Sequence, residues 1–552
     1  MSDAPPSPPA LDDRWRIAAW VMLFLGLAFE GLRPLADLDV WWHIRLGEVM
    51  VQTRSLVPSD VFSYTRFGTA WPWKDWGTAL MLYGTHALSG LAGLIVLKAA
   101  MLVGTGALQL RMLRARAVPA VVAILTVAVC MSAASFRFTE RGATVSLVVI
   151  AAVVWLIDRH RAGRSGLGWI VPLVVFNANI HRGVLLVPVI LGALAAVEFA
   201  EAVVLRRDRP WKRAAAVAVG SGLALFVTPF GIRIITTTIA LMGQHSPLIT
   251  EWAPVEYELV RRLSPATLVA IGFVGLGGLL GAIKRRDPWD AVLVVLALGL
   301  GFQSIRHLPY VALLGAGPAA MGWASVGTDV WNGRLARLLA LAPALGALLY
   351  ALGRPLPPPG DALAPAHYPE RGVAFLQAEG IQGPMFNEFG YGGFLLFHLW
   401  PEHRVYIDGR TDLVYTPHMV ERYIASAMDP AVFAEEDAQW NFQVVIVDNS
   451  PMQGTFAHLD RNPDWALVHA SRRALVYVKR RGVNDAIAER LGYRWLWPHA
   501  LEASIVAADR QGHGAQALRE LDRMRAEDPD NLFAEAAYRR IDAMRKRART
   551  SP

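Results

Sequence analysis

Apolar runs of membrane-spanning length dominate the first two thirds of the chain and set its expected architecture. A helix that crosses a bilayer needs about 20 mostly apolar residues. Runs of that order fall near 15–34, 88–110, 118–136, 142–158, 183–205, 212–230, 264–283, 288–305, 307–326 and 334–353, with a shorter one at 168–181. The pattern predicts a polytopic α-helical membrane protein with about eleven spans, a transmembrane domain over 15–353. Ile17–Leu32 is followed by many further apolar runs and by no small-residue cleavage site, so it reads as a retained anchor. Past Gly353 the spans stop. Arg354-Pro-Leu-Pro-Pro-Pro-Gly predicts a stiff linker over 354–369.

Residues 370–480 change to short β-patterned runs, at Pro384–Asn387, Gly393–His398, Arg404–Ile407, Gln443–Val447, Trp465–His469 and Ala474–Val478, separated by turns and helices. That is the pattern of a small C-terminal α/β domain. From about Asn484 the period is helical. Leu501–Ala526 and Asn531–Lys546 predict a helical hairpin tail over 484–548, like one tetratricopeptide unit with no second repeat. The Pro-rich start within 1–14 is too polar to pack and is expected to be disordered.

Composition agrees with the pattern: 552 residues are 54% hydrophobic and 18% charged. The net charge of +8 does not imply nucleic acid, because Lys and Arg cluster in short loops between apolar runs. The clusters Arg14/Arg16, Arg111/Arg114/Arg116, Arg159/Arg161/Arg164, 206–213, Lys284/Arg285/Arg286 and Arg334/Arg337 alternate strictly with loops of other composition. By the positive-inside rule the N-terminus is cytoplasmic and the C-terminal domain extracytoplasmic. Cys130, the single cysteine, falls in an apolar run and reads as a small core residue.

This alternation gathers nearly all the unusual polar residues on the outer face. The first outer loop, 31–86, carries Asp37-Leu-Asp39-Val-Trp-Trp-His43-Ile-Arg-Leu-Gly-Glu48 directly after the first span. Charges at a membrane boundary are expensive unless used. One carboxylate suits a general base toward an acceptor hydroxyl, and the other suits a divalent cation, Mg²⁺ or Mn²⁺, held against a phosphate. His43, four residues after Asp39, shares its helix face. Trp41–Val51 and a second helix from Trp71, Trp73 and Trp76 to about His86 read as interfacial helices. Arg137, Arg141, Arg182 and Arg306 fall at outer helix ends and suit a phosphate headgroup. His181, Glu251 and His307 join them on that face as substrate-binding candidates. Lys98 lies within the second span, with Glu30 or a carbonyl as its expected partner. Gly390, Gly392 and Gly393 form no nucleotide-binding fingerprint and read as turns, while Asp408, Arg410 and Asp412 are candidate sugar contacts.

The string Asp37-x-Asp39-x-Trp-Trp-His43-Ile-x-x-Gly-Glu48, followed by Val57-Pro-x-Asp-x-Phe-Ser-Tyr-Thr and a Trp-rich helix, resembles the first outer loop of the GT-C superfamily. These are integral membrane glycosyltransferases such as the aminoarabinose transferase, protein O-mannosyltransferase and oligosaccharyltransferase families. Asn179-Ile-His181, Glu251-Trp252, Phe386-Asn-Glu and Ile407-Asp-Gly-Arg are similar to one bacterial branch of it. The resemblance implies a sugar donor on a polyprenyl phosphate, an active site at the outer face of the bacterial inner membrane, and a catalytic carboxylate that falls on Asp39 with Asp37 beside it. The acceptor, a glycan, lipid or protein, is not encoded in any motif. Relatives that carry Asp-Glu or a further acidic metal ligand differ from this chain, which has Val40 there. Two other classes remain open. A lipid-linked glycan transporter or assembly scaffold would spread ionisable groups through the membrane and show repeats. A polysaccharide ligase or polymerase would bind the carrier without a carboxylate base.

Overall fold

The computed structural model describes residues 14–71, 75–241, 256, 265–327, 330–331, 333–354, 363, 367–411, 414–449 and 455–550. The Pro-rich start, most of the linker, Trp73, Glu251-Trp252 and Asp412 lie outside them. The chain divides into two units, Met1–Asp37 with Pro72–Ala362, and Leu38–Trp71 with Leu363–Pro552.

The first unit is helical, and each apolar run of the sequence forms a helix in it: Arg14–Gly31, Trp76–Ala115, Ala120–Ala134, Gly142–Arg161, Ile170–Ala178, Leu186–Val203, Trp211–Ala224, Pro265–Lys284, Pro288–Gln303, Leu308–Ala324 and Arg334–Leu352. Six of the described helices are long and apolar enough to cross a membrane by length and composition. The protein is therefore a multi-pass membrane protein. Pro265–Lys284 shows why such helices need a bilayer. Its Val274 is buried in the bundle while Val269, Leu276, Leu279 and Ile283 are exposed, so it is apolar on every face. Cys130 is fully buried, as a small core residue should be.

The second interfacial helix and the second span form one continuous element, Trp76–Ala115, broken at Gly90. There φ is 61° and ψ −160°, a conformation open to glycine and closed to residues with a Cβ. At the ends carrying the basic loops, Arg116 reaches Asp158 at 2.5 Å and Asp290 at 2.8 Å, and Arg161 reaches Glu201 and Asp287, both at 3.1 Å. These arginines also fasten neighbouring helix ends to one another.

The second unit is built on a four-stranded sheet of β1 (Met385–Asn387), β2 (Val444–Val447), β3 (Trp465–Ala470) and β4 (Leu475–Lys479). The order is β1-β2-β4-β3, with β1 parallel to β2 and the other pairs antiparallel. Gly393–His398, expected as a strand, is the helix Gly392–Leu399, because a short unbroken apolar run carries no period to separate the two. Arg404–Ile407 gives only an isolated bridge, Val405 to Ser63. The expected hairpin tail is three helices, Leu501–Arg510, Gly514–Glu527 and Leu532–Thr550, the first two parted at Gly512 with φ 83°.

The stretch Leu38–Trp71, read from the sequence as loop of the membrane domain, groups with Leu363–Pro552. Its helix Val40–Thr53 packs on Gly392–Leu399. Trp41 is 1% exposed and sits edge-on to Tyr368 and Phe394, at ring distances of 5.2 and 5.0 Å. The Trp pair therefore belongs to this unit's core, where large rings bury the most area.

Candidate functional site

Asp39 stands at the N-cap position of Val40–Thr53, yet its side chain makes no capping hydrogen bond. Asp at this position ordinarily caps. Here the carboxylate lies instead against the backbone of Gly409, where an added Cβ would come within 2.2 Å of Asp39 Oδ1. A side chain at position 409 would displace the Asp39 carboxylate. His43 Nδ1 lies 2.9 Å from the Asp39 carbonyl oxygen, and its ring stacks on Trp42 at 3.5 Å. The shared helix face thus links His43 to the main chain of Asp39.

The turn carrying Gly409 is held rigidly. Arg410, fully buried, donates to both oxygens of Asp408 (2.8 and 2.6 Å) and to Asp60 at 2.5 Å, with its guanidinium 4.5 Å from the Trp71 ring. Asp60 in turn accepts from the Phe62 amide at 2.9 Å and from the Ser63 hydroxyl. Asp408 and Arg410, considered as sugar contacts, are instead this buried cluster. Asn387 joins the turn to β1 by donating to Ile407 O and accepting from the Tyr406 amide, both at 2.8 Å. Beside it, burial pushes the Glu388 carboxyl above its usual range, opposed by the 2.7 Å hydrogen bond from Tyr423. Gly392 and Gly393 are close-approach positions too, since a Cβ would meet Ile407 O at 2.2 Å or Leu38 O at 2.7 Å.

In the helical unit, Asp37 is buried and paired with Arg141 at 2.5 Å. Lys98 donates to Arg33 O at 3.0 Å, the carbonyl expected as one alternative, and its carboxylate partner at 2.6 Å is Glu140 and not Glu30. Burial raises the Glu140 pKa and Asp37 adds to the rise, while Lys98 opposes it. Arg137 and Arg306 are brought together: Phe136 packs on Ile305 and Leu308, and both guanidiniums act electrostatically on the His307 ring.

His181 is used locally. Its Nδ1 accepts from the Gly183 amide at 3.0 Å and meets Ser146 Oγ at 3.0 Å, at the head of the turn that begins with Arg182. Asn179 and Ile180 carbonyls accept from Gly77 N and Thr78 Oγ1, docking the start of Trp76–Ala115. Glu251 lies outside the described residues. Among the described residues no three His, Cys, Asp or Glu side chains converge, and Asp37 is already engaged by Arg141. They supply no ready divalent-metal set. Gly409 escaped the sequence reading, although the Ile407-Asp-Gly-Arg string held its signal.

The fold is shared with solved oligosaccharyltransferase and arabinofuranosyltransferase structures. Solved structures similar to it include the archaeal oligosaccharyltransferase AglB from Archaeoglobus fulgidus, in complex with an inhibitory peptide and a dolichol-phosphate. The match has 11% identity and a TM-score of 0.58, over 85% of this chain and 75% of that one. The Archaeoglobus fulgidus oligosaccharyltransferase complexed with Zn and sulfate matches at 12% identity and 0.54, over 83% and 73%. The arabinofuranosyltransferase AftD from Mycobacteria matches at 14% and 0.50, over 87% of this chain and 42% of that one. No family model and no curated protein sequence matches.

Proposed function

We propose that the protein is a membrane glycosyltransferase that moves a sugar from a polyprenyl-phosphate donor to a glycan, lipid or protein acceptor at the outer face of the membrane. The observation that carries this reading is the Asp39 carboxylate, withheld from capping its own helix and set against Gly409. A carboxylate that follows directly on an apolar helix and does not cap its own helix suits a base. In the reaction the acceptor hydroxyl gives its proton to Asp39 as its oxygen bonds to the sugar's anomeric carbon. The bond from that carbon to the phosphate oxygen breaks, and the phosphate leaves with the electron pair. A donor phosphate needs preorganised cations, and Arg137 and Arg306, brought together in the helical unit, are its proposed contacts. Asp37, fixed by Arg141, is a partner that adds negative charge near the loop. The dolichol-phosphate in the AglB complex supports a lipid-phosphate donor.

Two measurements test this placement. Arg137→Ala and Arg306→Ala should each weaken apparent donor affinity by about ten- to a hundredfold, the worth of a charge-assisted hydrogen bond, with little change in melting. Unchanged donor dependence in both would make them headgroup anchors. For orientation, a topology reporter fused after Gly360 should be active outside the cytoplasm and one after Arg114 inside. Reports from the same side for both would remove the single outer face.

A further inference from the structure

A cavity of about 520 Å³ opens in the helical unit, within the size range of small-molecule sites. Its floor is apolar, with Leu27, Val129, Val269 and Ala347 among the lining residues. Its polar groups gather at one end: Glu30, Arg33, Tyr350 and Arg354. The helix ends meeting there are the last turns of Arg14–Gly31, Ala120–Ala134 and Arg334–Leu352 and the first turn of Pro265–Lys284. The alternation of basic loops puts these four ends on one side of the membrane. A charged rim at the helix ends over an apolar floor one to two turns deeper is the shape of a headgroup above a hydrocarbon chain.

The rim is built as well as charged. Arg33 and Arg354 both stack on Tyr350, with guanidinium-to-ring distances of 5.6 and 4.9 Å. Arg33 also pairs with Glu30. The Nε of Arg33 is buried and, among the described residues, has no hydrogen-bond partner. A buried N–H left unmade is costly and calls for an acceptor. Two guanidiniums fit a phosphate. The Glu30 carboxylate decides which phosphate. Paired with Arg33, it weakens the rim's pull on a headgroup carrying only negative charge, and it can also hydrogen-bond an ammonium beside the phosphate. Gly26 and Gly346 keep the site open, the former by letting the first helix approach Ala347, where an added Cβ would lie 3.1 Å from its carbonyl carbon.

We propose that this cavity is a specific site for one zwitterionic glycerophospholipid of the bilayer. An acyl chain lies on Leu27, Val129 and Val269, the phosphate between Arg33 and Arg354, and the ammonium on Glu30.

Native mass spectrometry of the full-length protein tests it, after detergent exchange with phosphatidylethanolamine, phosphatidylglycerol or a polyprenyl phosphate as probe. The parent should keep one phosphatidylethanolamine per chain in preference to both other lipids. Arg354→Gln and Val269→Trp, both at exposed positions, should weaken retention about tenfold without lowering the melting temperature. Glu30→Gln should reverse the preference toward phosphatidylglycerol. Preferential retention of phosphatidylglycerol by the parent overturns the zwitterion assignment, and preferential retention of the polyprenyl phosphate makes the cavity a donor site instead. Equal retention in parent, Arg354→Gln and Val269→Trp leaves no specific site. Those two variants decide the matter even where Glu30→Gln does not fold.

Discussion

Asp39→Asn should lose sugar transfer by about 10²- to 10⁴-fold, the usual worth of a positioned general base, while inserting, purifying and melting like the parent. The amide keeps the shape of the carboxylate and so its place against Gly409. It removes the negative charge and the capacity to take a proton. The loss should fall on kcat more than on donor affinity, because the arginines proposed to hold the donor phosphate are untouched. Asp37→Asn should behave differently. Asp37 is committed to Arg141 at 2.5 Å, so its loss loosens that pair and acts on transfer indirectly. Equal losses from both variants, together with sensitivity of the parent to a chelator, would point to a shared metal. Full transfer by Asp39→Asn would remove the base and return the transporter or scaffold reading.

The largest stability effect should come from Asp60→Ala. Asp60 and Arg410 are fully buried, and removing one partner of such a pair strands the other charge at a cost of about 3–5 kcal/mol. Asp60→Ala also deletes the acceptor of the Phe62 amide and the Ser63 hydroxyl. Arg410 keeps Asp408, which limits the damage to the attachment of residues 59–71. The variant should therefore melt markedly lower and become susceptible to proteolysis in that segment before elsewhere. Asp60→Asn, which retains an acceptor oxygen, should be milder. Unchanged melting and protection in Asp60→Ala would show that the segment is held by its aromatic contacts, such as Phe62 on Trp400 at 5.7 Å, and not by the ion cluster.

Much of the architecture was legible in the linear pattern, since every apolar run became a helix and four β-patterned runs became strands. Spans are written by local composition, which needs no partner to be read. The misreadings have one origin. Gly392–Leu399 is apolar throughout, so a strand and a buried helix look alike until neighbours decide. The Trp41–Trp42 pair suits a headgroup region and a protein core equally, and Phe394 and Tyr368 settled it.

By itself the sequence determined that the chain crosses a membrane repeatedly and that its reactive-looking polar groups concentrate in the first loop and at a few helix ends. Those properties follow from the free energy of placing each residue in water or lipid, which is set residue by residue. Only the tertiary structure decided which charges are spent on holding the fold. Arg410 and Asp60 are 350 positions apart, and Lys98 chose Glu140 over Glu30. The approach of Gly409 to Asp39 likewise joins distant segments. Pairing and close contact depend on geometry between segments that the order of residues does not state.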